Sequence, residues 1–382
     1  MRWLIVPPLL AALVAGGAAP AATADDVGEV ARAGQWQLGA LRLPEAWRSS
    51  RGEGVLVAVL DTGVNGDHPD LHGAVVQGPD LTGAAARGMW GQHGTAMASL
   101  IAGRGHGDDR RAGVIGVAPA AKVLSVRVTL ENGDPLRGKQ RAGGGDALAE
   151  GIRYAADHGA DVISMSLGGG SGSWEGSASE EEAVQYAIAK GAVLVASSGN
   201  DGEAGNRKNF PAAYPGVIAV GAVDRRFKVA GFSNRQDYLS VVAPGTEIVT
   251  ADGTDSYVVG DGTSSAAAMV AGVAALIRSA HPGMSPYHVR MAIERGTRRQ
   301  PSDGYSRAYG HGVANATLAL RAASRLDLPA SGLARPGPYF GGGPGGLAPV
   351  SRTPVVTGMV LLLVAMSVRV VVRHRRRGRD AT

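Results

Sequence analysis

Residues 260–272 read GDGTSSAAAMVAG, and the rest of the chain is organised around this stretch. Glycines and a threonine lead into Ser264, and small helix-forming residues follow it. The pattern predicts a sharp turn that feeds a buried helix, with Ser264 in the first helical turn. Unpaired backbone N–H groups at a helix start favour developing negative charge, which suits a nucleophilic serine. Taken alone, the stretch is more typical of a serine that caps a structural helix. The choice between a cap and a nucleophile therefore depends on the rest of the sequence.

The composition is that of a large α/β protein with a neutral body. Of the 382 residues, 45% are apolar but only 5% are aromatic, so the core must be aliphatic, and the 58 glycines imply many tight turns. The last fourteen residues hold six arginines and one aspartate, which account for the whole net charge of +5. The remainder offers no basic surface for nucleic acid. Without cysteine there is no disulfide or thiolate metal site, and the sequence indicates neither a metal nor a cofactor.

A continuous apolar run at residues 54–60 ends at Asp61-Thr62-Gly63. Such a run predicts a strand buried on both faces of a parallel sheet, whose carboxyl end is where α/β proteins place catalytic groups. Similar strands are predicted at 122–128, 162–167, 192–196 and 217–220, with helices at 96–102, 146–158 and 179–190. This alternation predicts an α/β fold with a doubly wound, mostly parallel sheet flanked by helices.

The N-terminal residues have the features of a secretory signal peptide. Residues 1–24 combine a basic start, a short apolar run and an Ala22-Thr23-Ala24 ending, which predicts cleavage before Asp25; an uncleaved anchor is the alternative. Residues 25–51 then form a short amphipathic N-terminal extension, and we expect the globular domain at residues 52–327.

The C-terminal residues predict a membrane anchor. Residues 328–354 are rich in proline and glycine and are typical of a stalk. Residues 355–372 are apolar except for Arg369 and predict one C-terminal transmembrane helix; a buried C-terminal helix is the alternative. The basic tail at 373–382 is expected in the cytoplasm, which makes this a single-pass protein of the cell membrane with its globular domain outside.

Three reactive side chains, Asp61, His93 and Ser264, each end a strand or open a helix. Asp, His, Ser is also the chain order of the subtilisin arrangement. Because a serine hydroxyl is a poor nucleophile at neutral pH, we expect His93 to take its proton and Asp61 to fix the imidazole tautomer. The negative charge of the intermediate requires donors, for which the Ser264 N–H and the side chain of Asn200 are the candidates. An ordinary turn residue is the alternative for Asn200.

Taken together, the motifs resemble those of the subtilisin-like (subtilase) serine endopeptidases over residues 36–320. The matching motifs are Asp61-Thr62-Gly63-Val64, His68-Pro69-Asp70-Leu71, His93-Gly94-Thr95, Gly116-Val117-Ala118-Pro119, Ser164-Met165-Ser166-Leu167-Gly168-Gly169, Ser198-Gly199-Asn200, Val242-Ala243-Pro244-Gly245 and Gly262-Thr263-Ser264. The resemblance implies a seven-stranded type of parallel sheet, a triad of Asp61, His93 and Ser264, and an oxyanion donor in Asn200.

The resemblance also implies how substrate binds. An extended peptide would add as a strand to the edge formed by Ser166, Leu167 and Gly168, with Gly143 and Gly144 on the opposite edge. One position departs from the family pattern, because Ala268 stands where a proline is usual. Alanine suits a helix interior, so we expect the helix after Ser264 to be regular there.

The layout of the whole chain is similar to that of the mycosins, membrane-anchored subtilases associated with type VII secretion. This similarity implies polypeptide substrates, contact with the lipid bilayer and secretion-machinery membrane proteins as partners. A competing hypothesis is a structural subunit of a secretion complex that uses the protease fold as a scaffold. A serine esterase on an α/β-hydrolase fold would require Gly-x-Ser-x-Gly and the order Ser, acid, His, and the chain has neither.

Overall fold

The computed structural model describes residues 24–84, 90–137, 146–168 and 176–326. In this part of the chain the strands are β1 (Leu56–Asp61), β2 (Val75–Asp80), β3 (Arg104–His106), β4 (Ala112–Ile115), β5 (Lys122–Arg127), β6 (Val162–Met165), β7 (Val193–Ser197), β8 (Ile218–Val223), β9 (Leu239–Pro244), β10 (Ile248–Asp252), β11 (Ser256–Gly260), β12 (Thr297–Arg298) and β13 (Val313–Ala314). The helices are α1 (Ala24–Gly34), α2 (Gln37–Ala40), α3 (Leu43–Ala46), α4 (Gln92–Ala102), α5 (Ala147–Asp157), α6 (Ala178–Ala189), α7 (Thr263–Ala280), α8 (Pro286–Arg295) and α9 (Ala316–Arg325).

Nine strands form the main sheet, in the order β12-β13-β9-β8-β7-β6-β1-β5-β2. The seven strands from β9 to β2 are paired in parallel throughout, and only the short edge strand β12 runs antiparallel to its neighbour. The predicted doubly wound, mostly parallel sheet is therefore confirmed, and so is the seven-stranded parallel core that the family resemblance implied.

Strand β1 lies between β6 and β5 in this sheet, and helices cover both of its faces. Val57 and Val59 are buried in the same core cluster as residues of α4 and α7. Leu60 points to the other face, where it lies close to Gly151 of α5. Side chains alternate along a strand, so the two sets of helices cover opposite faces. Asp61 at the carboxyl end of β1 lies where the winding of the sheet reverses, the usual location of a ligand site.

Helix α7 forms the centre of the core on one face of the sheet. It is the one helix in the described ranges that is long and apolar enough to cross a membrane, but 83% of it is buried inside the fold. Ala268 is fully buried and the helix runs through it without interruption, as its helix propensity predicts. The predicted signal residues 1–23, stalk, transmembrane helix and basic tail lie outside the described residues.

The N-terminal extension packs into the core. Leu41 and Leu43 are fully buried, and the Leu41 carbonyl accepts a hydrogen bond from the N–H of Ala316, at 3.0 Å. The indole of Trp36 donates to the carbonyl of Thr246 at 3.1 Å, and that of Trp47 donates to Val117 at 2.8 Å. The extension is thus bound to elements from both halves of the chain.

Candidate active site

Asp61 and His93 are in direct contact at the carboxyl end of β1. The Asp61 side chain is fully buried, and its Oδ1 lies 2.7 Å from Nδ1 of His93. The same oxygen accepts a second hydrogen bond from the backbone N–H of Thr62, also at 2.7 Å. Because a carboxylate is an acceptor, Nδ1 of His93 carries the proton, and Nε2 is the basic nitrogen of the neutral ring.

Close packing of α4 on the turn after β1 holds this pair together. Nothing larger than glycine fits at position 94, because a Cβ there would lie 2.0 Å from the carbonyl oxygen of Gly63. The N–H of Gly94 donates to the hydroxyl of Thr62 at 3.0 Å, which joins the helix start to the strand end. The His-Gly-Thr sequence therefore places His93 beside Asp61 by letting two backbone segments touch.

Neighbouring charges shift the pKa of His93. Burial lowers this pKa, but the charge of Asp61 and its hydrogen bond raise it, and the charge of Glu131 raises it further. The result is a pKa above the ordinary value of 6.5. Glu131 is close because its Oε1 accepts a hydrogen bond from the backbone N–H of His93 at 3.2 Å.

Ser264 is the second residue of α7 and lines the same cleft as Asp61 and His93, a cavity of about 450 Å³. Its Oγ donates to the carbonyl of Ser166 at 3.3 Å, and Oγ of Ser166 donates back to the carbonyl of Ser264 at 3.0 Å. Between described residues, no hydrogen bond joins Ser264 to His93. Such contacts often form only when substrate is bound.

Asn200 also lines the cleft, and its side-chain amide has a fixed orientation. The backbone N–H and the hydroxyl of Thr263 both donate to Oδ1 of Asn200, each at 2.9 Å. Because the backbone N–H of Thr263 can only donate, the amide oxygen must face Thr263, and the donor Nδ2 is left for other partners. A Cβ at Gly262 would lie 3.7 Å from Nδ2, in ordinary van der Waals contact, so Gly262 lies beside this donor.

The predicted substrate edge forms part of the cleft wall. Ser166, Leu167 and Gly168 continue β6 past its last paired residue and line the cavity. Gly168 has a φ of +126°, and a Cβ there would lie 2.3 Å from the side chain of Asn209, so this position requires glycine. Gly143 and Gly144, predicted on the opposite edge, lie outside the described residues.

The structure thus brings Asp61, His93, Asn200 and Ser264 to one cleft. Sequence reasoning missed Glu131, which no local pattern marks, and the supporting hydroxyl of Thr263, which lies inside the Gly-Thr-Ser motif. None of the described residues of the N-terminal extension lines the cleft. No group of three or more acidic or histidine side chains in the described ranges is arranged to hold a metal ion.

Comparison with known proteins adds a family match to this geometry. The Subtilase family matches residues 52–312. Thermitase from Thermoactinomyces vulgaris is 39% identical over 255 residues, which are 66% of this chain and 85% of thermitase. Fervidolysin from Fervidobacterium pennivorans is 36% identical over 328 residues, which are 78% of this chain but only 45% of fervidolysin.

A solved structure of MycP1 from the ESX-1 type VII secretion system is also similar. It has a TM-score of 0.64 and 29% sequence identity, over 78% of this chain and 87% of that one. The match therefore covers most of the solved MycP1 chain, whereas it spans less than half of the length of fervidolysin.

Proposed function

The chain belongs to the subtilase family of serine endopeptidases, and from this premise we propose that it is a membrane-anchored, extracytoplasmic endopeptidase that acts through Asp61, His93 and Ser264. The observation that carries the proposal is the 2.7 Å contact between Asp61 and His93 in a cleft that Ser264 also lines. The orientation of the Asn200 amide supports it, because an oxyanion donor would be needed at this place.

In the proposed mechanism, Oγ of Ser264 attacks the carbonyl carbon of the scissile peptide bond while its proton passes to Nε2 of His93. Asp61 stabilises the imidazolium that forms. The oxyanion of the tetrahedral intermediate accepts hydrogen bonds from the Ser264 N–H and from Nδ2 of Asn200. When the C–N bond breaks, His93 gives the proton to the leaving amine and Ser264 remains acylated. Water then attacks the ester through the same sequence of proton transfers and restores the serine.

The substrate we propose is an extended polypeptide segment. A wall made of consecutive backbone groups at Ser166, Leu167 and Gly168 suits a chain that binds by strand addition. A folded segment could not present its backbone in this way, so cleavage should favour unfolded regions of proteins. The Ser166 side chain is already hydrogen-bonded to the Ser264 carbonyl, and the Leu167 carbonyl already accepts from Oγ of Ser197. We therefore propose the other backbone groups of the wall as the recognition element.

We also propose membrane attachment and a role linked to type VII secretion. Support for the anchor comes from the apolar residues 355–372, followed by the basic tail. Support for the secretion role is the similarity to MycP1, a protein of the ESX-1 type VII secretion system. Truncation after residue 327 should release the protein from the membrane fraction, and a truncated chain that stays with the membrane would contradict the anchor.

A cleavage assay tests the endopeptidase proposal. The full chain in a non-ionic detergent should cut a quenched-fluorescence library of extended peptides, and Ser264→Ala should abolish cleavage while the protein stays folded by circular dichroism. If well-folded wild-type protein cuts no member of the library, the scaffold hypothesis is supported instead. The preferred sequences from the same library define the specificity.

A further inference from the structure

A second pocket, lined by arginines, lies outside the cleft. Its volume is about 490 Å³. The charged residues among the described ones that line it are Arg32, Arg51, Arg104, Asp109, Arg110 and Arg111. Five arginines and one aspartate give these side chains a net formal charge of +4. No lysine is among the described lining residues.

The arginine pocket is at the opposite end of the sheet from the proposed catalytic residues. Arg51 precedes β1 and Ala120 precedes β5, and the Ala120 N–H donates to the Arg51 carbonyl at 2.9 Å. Because β1 and β5 are parallel, this is the amino end of both strands, whereas Asp61 is at the carboxyl end. The five residue steps along β1 correspond to roughly 16 Å. A ligand in the arginine pocket would therefore not reach the reacting atoms.

Two of the arginines are fixed by contacts within the protein. The guanidinium of Arg32 on α1 donates to the carbonyl of Gly113 at 2.8 Å and to that of Ala112 at 3.2 Å. The guanidinium of Arg51 stacks over the ring of Trp47, 5.0 Å from its centroid. Fixed cations lose little conformational entropy when they bind a ligand, which is typical of a preorganised site.

The loop that carries Arg110 has an unfavourable backbone. Asp109 and Arg110 have φ values of +53° and +57°, a left-handed conformation that residues other than glycine rarely adopt. The Arg110 carbonyl accepts a hydrogen bond from Arg32 at 3.1 Å, which helps to hold this conformation. Two such residues in succession are the kind of strain that is retained where a side chain must be presented in one direction.

Nearby acids balance only part of the positive charge in the pocket. Burial lowers the pKa of Arg32 and the charge of Asp70 raises it, while backbone hydrogen bonds and the charge of Arg51 lower the pKa of Glu53. Asp109 is the one acid among its described lining residues, and it pairs with Arg111 at 3.3 Å where both side chains are 80% exposed. Nε of Arg104 is buried and has no hydrogen-bond partner within the described ranges. Burial lowers the pKa of Arg104, and the charge of Arg110 lowers it further. An anion bound between these arginines would relieve both the repulsion and the missing contacts.

We propose that the arginine pocket binds a phosphate-bearing ligand. Arginine presents a planar fork that binds phosphate oxygens in pairs, and all the cations here are arginines. A phosphate monoester brings a charge of about −1.5 to −2, which matches the excess positive charge better than a single carboxylate does. The volume exceeds that of a phosphate ion, so the phosphate is expected to be carried on a larger polar group.

Two sources could supply this chemistry, a soluble phosphate compound or the headgroup of an anionic lipid. The full chain in a non-ionic detergent is titrated, by calorimetry, with pyrophosphate, with short-chain phosphatidic acid and with tri-glutamate. Tighter binding of pyrophosphate identifies a soluble source, and tighter binding of the lipid identifies a headgroup; either result supports a phosphate site. The proposal is overturned if tri-glutamate binds as tightly as pyrophosphate and phosphatidic acid, or if neither phosphate compound binds.

Variants then locate the site. The double variant Arg104→Gln, Arg110→Gln should weaken phosphate binding at least about tenfold, since hydrogen bonds to charged groups are strong. The exposed pair Arg51→Gln, Arg111→Gln should also weaken binding and keeps the test decisive if the first variant does not fold. The matched control, Arg226→Gln with Arg295→Gln, removes two exposed charges elsewhere and should leave binding unchanged. Equal losses in the control would overturn the proposal. Because the readout is binding, failure of the peptidase proposal would not affect this result.

Discussion

The backbone N–H and the hydroxyl of Thr263 both donate to Oδ1 of Asn200, at 2.9 Å each. Thr263 directly precedes Ser264, so the residue beside the proposed nucleophile orients the amide beside the proposed oxyanion. This relationship joins the Gly-Thr-Ser turn to the Gly199-Asn200 turn across 63 residues of sequence. The two ends of the amide therefore have different functions. Its oxygen accepts the hydrogen bonds that fix the orientation of the amide, and its nitrogen can donate to the oxyanion.

Replacing Asn200 should therefore reduce turnover with little effect on substrate binding. Asn200→Leu removes the donor and should lower kcat by about 100-fold to 1000-fold with a nearly unchanged KM, as is typical for the loss of one oxyanion donor. Steady-state kinetics on a peptide ester or amide measure both constants.

The matched variant for this prediction is Thr263→Val. It removes one of the two hydrogen bonds to Oδ1 and leaves the backbone donor, so kcat should fall by less than about tenfold. If Asn200→Leu raised KM and left kcat unchanged, the amide would contact the substrate equally in the ground state and the transition state, which contradicts its role as an oxyanion donor.

The charge of Asp61 should be essential for turnover. Asp61→Asn keeps the shape of the side chain but presents a donor to Nδ1 of His93, which favours the wrong tautomer, and kcat should fall by about 10⁴-fold. Single-turnover kinetics at saturating substrate measure the chemical step directly.

The chain contains a second buried aspartate–histidine pair that serves as a control. Oδ1 of Asp70 lies 2.7 Å from Nδ1 of His106, and neither residue lines the cleft. Asp70→Asn should lower stability and change kcat per folded molecule only a few-fold. If Asp61→Asn and Asp70→Asn lowered kcat by the same factor, Asp61 would act through folding rather than through His93.

The pH dependence of activity should reflect the raised pKa of His93. The proposed mechanism requires neutral His93, which is lost as the pH falls through this pKa, so the acid limb of kcat/KM should lie above pH 6.5. Glu131→Gln removes one of the charges that raise the pKa and should move the limb to lower pH. The control Glu247→Gln removes an acid outside the cleft and should leave it in place. A limb that moves to higher pH in Glu131→Gln would contradict this account.

Packing of the N-terminal extension should contribute to global stability. Leu41 is fully buried against the core, so Leu41→Ala should lower the free energy of unfolding by about 2–5 kcal/mol. Val30 on α1 is 72% exposed, and Val30→Ala should change the free energy by no more than about 0.5 kcal/mol. Urea titrations of the full chain measure the free energy of unfolding of both variants. If Leu41→Ala lowered it as little as Val30→Ala does, the extension would be only loosely attached.

The features that can be predicted from the sequence are those that depend on residues close together in the chain. The apolar run before Asp61 predicts strand β1, because a strand buried on both faces has to be apolar throughout. The small residues after Ser264 predicted the buried helix for the same reason. Asp61 ends a predicted strand, Asn200 follows one, and His93 and Ser264 open helices. The ends of such elements are where α/β proteins place catalytic groups, so the sequence predicts that these side chains share one site.

The remaining features depend on contacts between distant parts of the chain. Glu131 reaches the N–H of His93 from a loop after β5, and nothing around residue 131 marks it as part of the site. The docking of residues 24–51 depends on partners such as Thr246 and Ala316, more than 200 residues away. Local periodicity carries no information about such pairings, so the sequence indicates only a short amphipathic extension at residues 25–51.

The most direct test of the account is the reaction of Ser264 with a fluorophosphonate, a reagent that labels serines activated by a neighbouring base. Incubation of the full-length protein followed by peptide mass spectrometry should show one adduct, on Ser264, which forms more slowly in Asp61→Asn and is absent from Ser264→Ala. A folded wild-type protein whose Ser264 stays unmodified, or reacts at the same rate without the Asp61 carboxylate, would contradict the proposed triad.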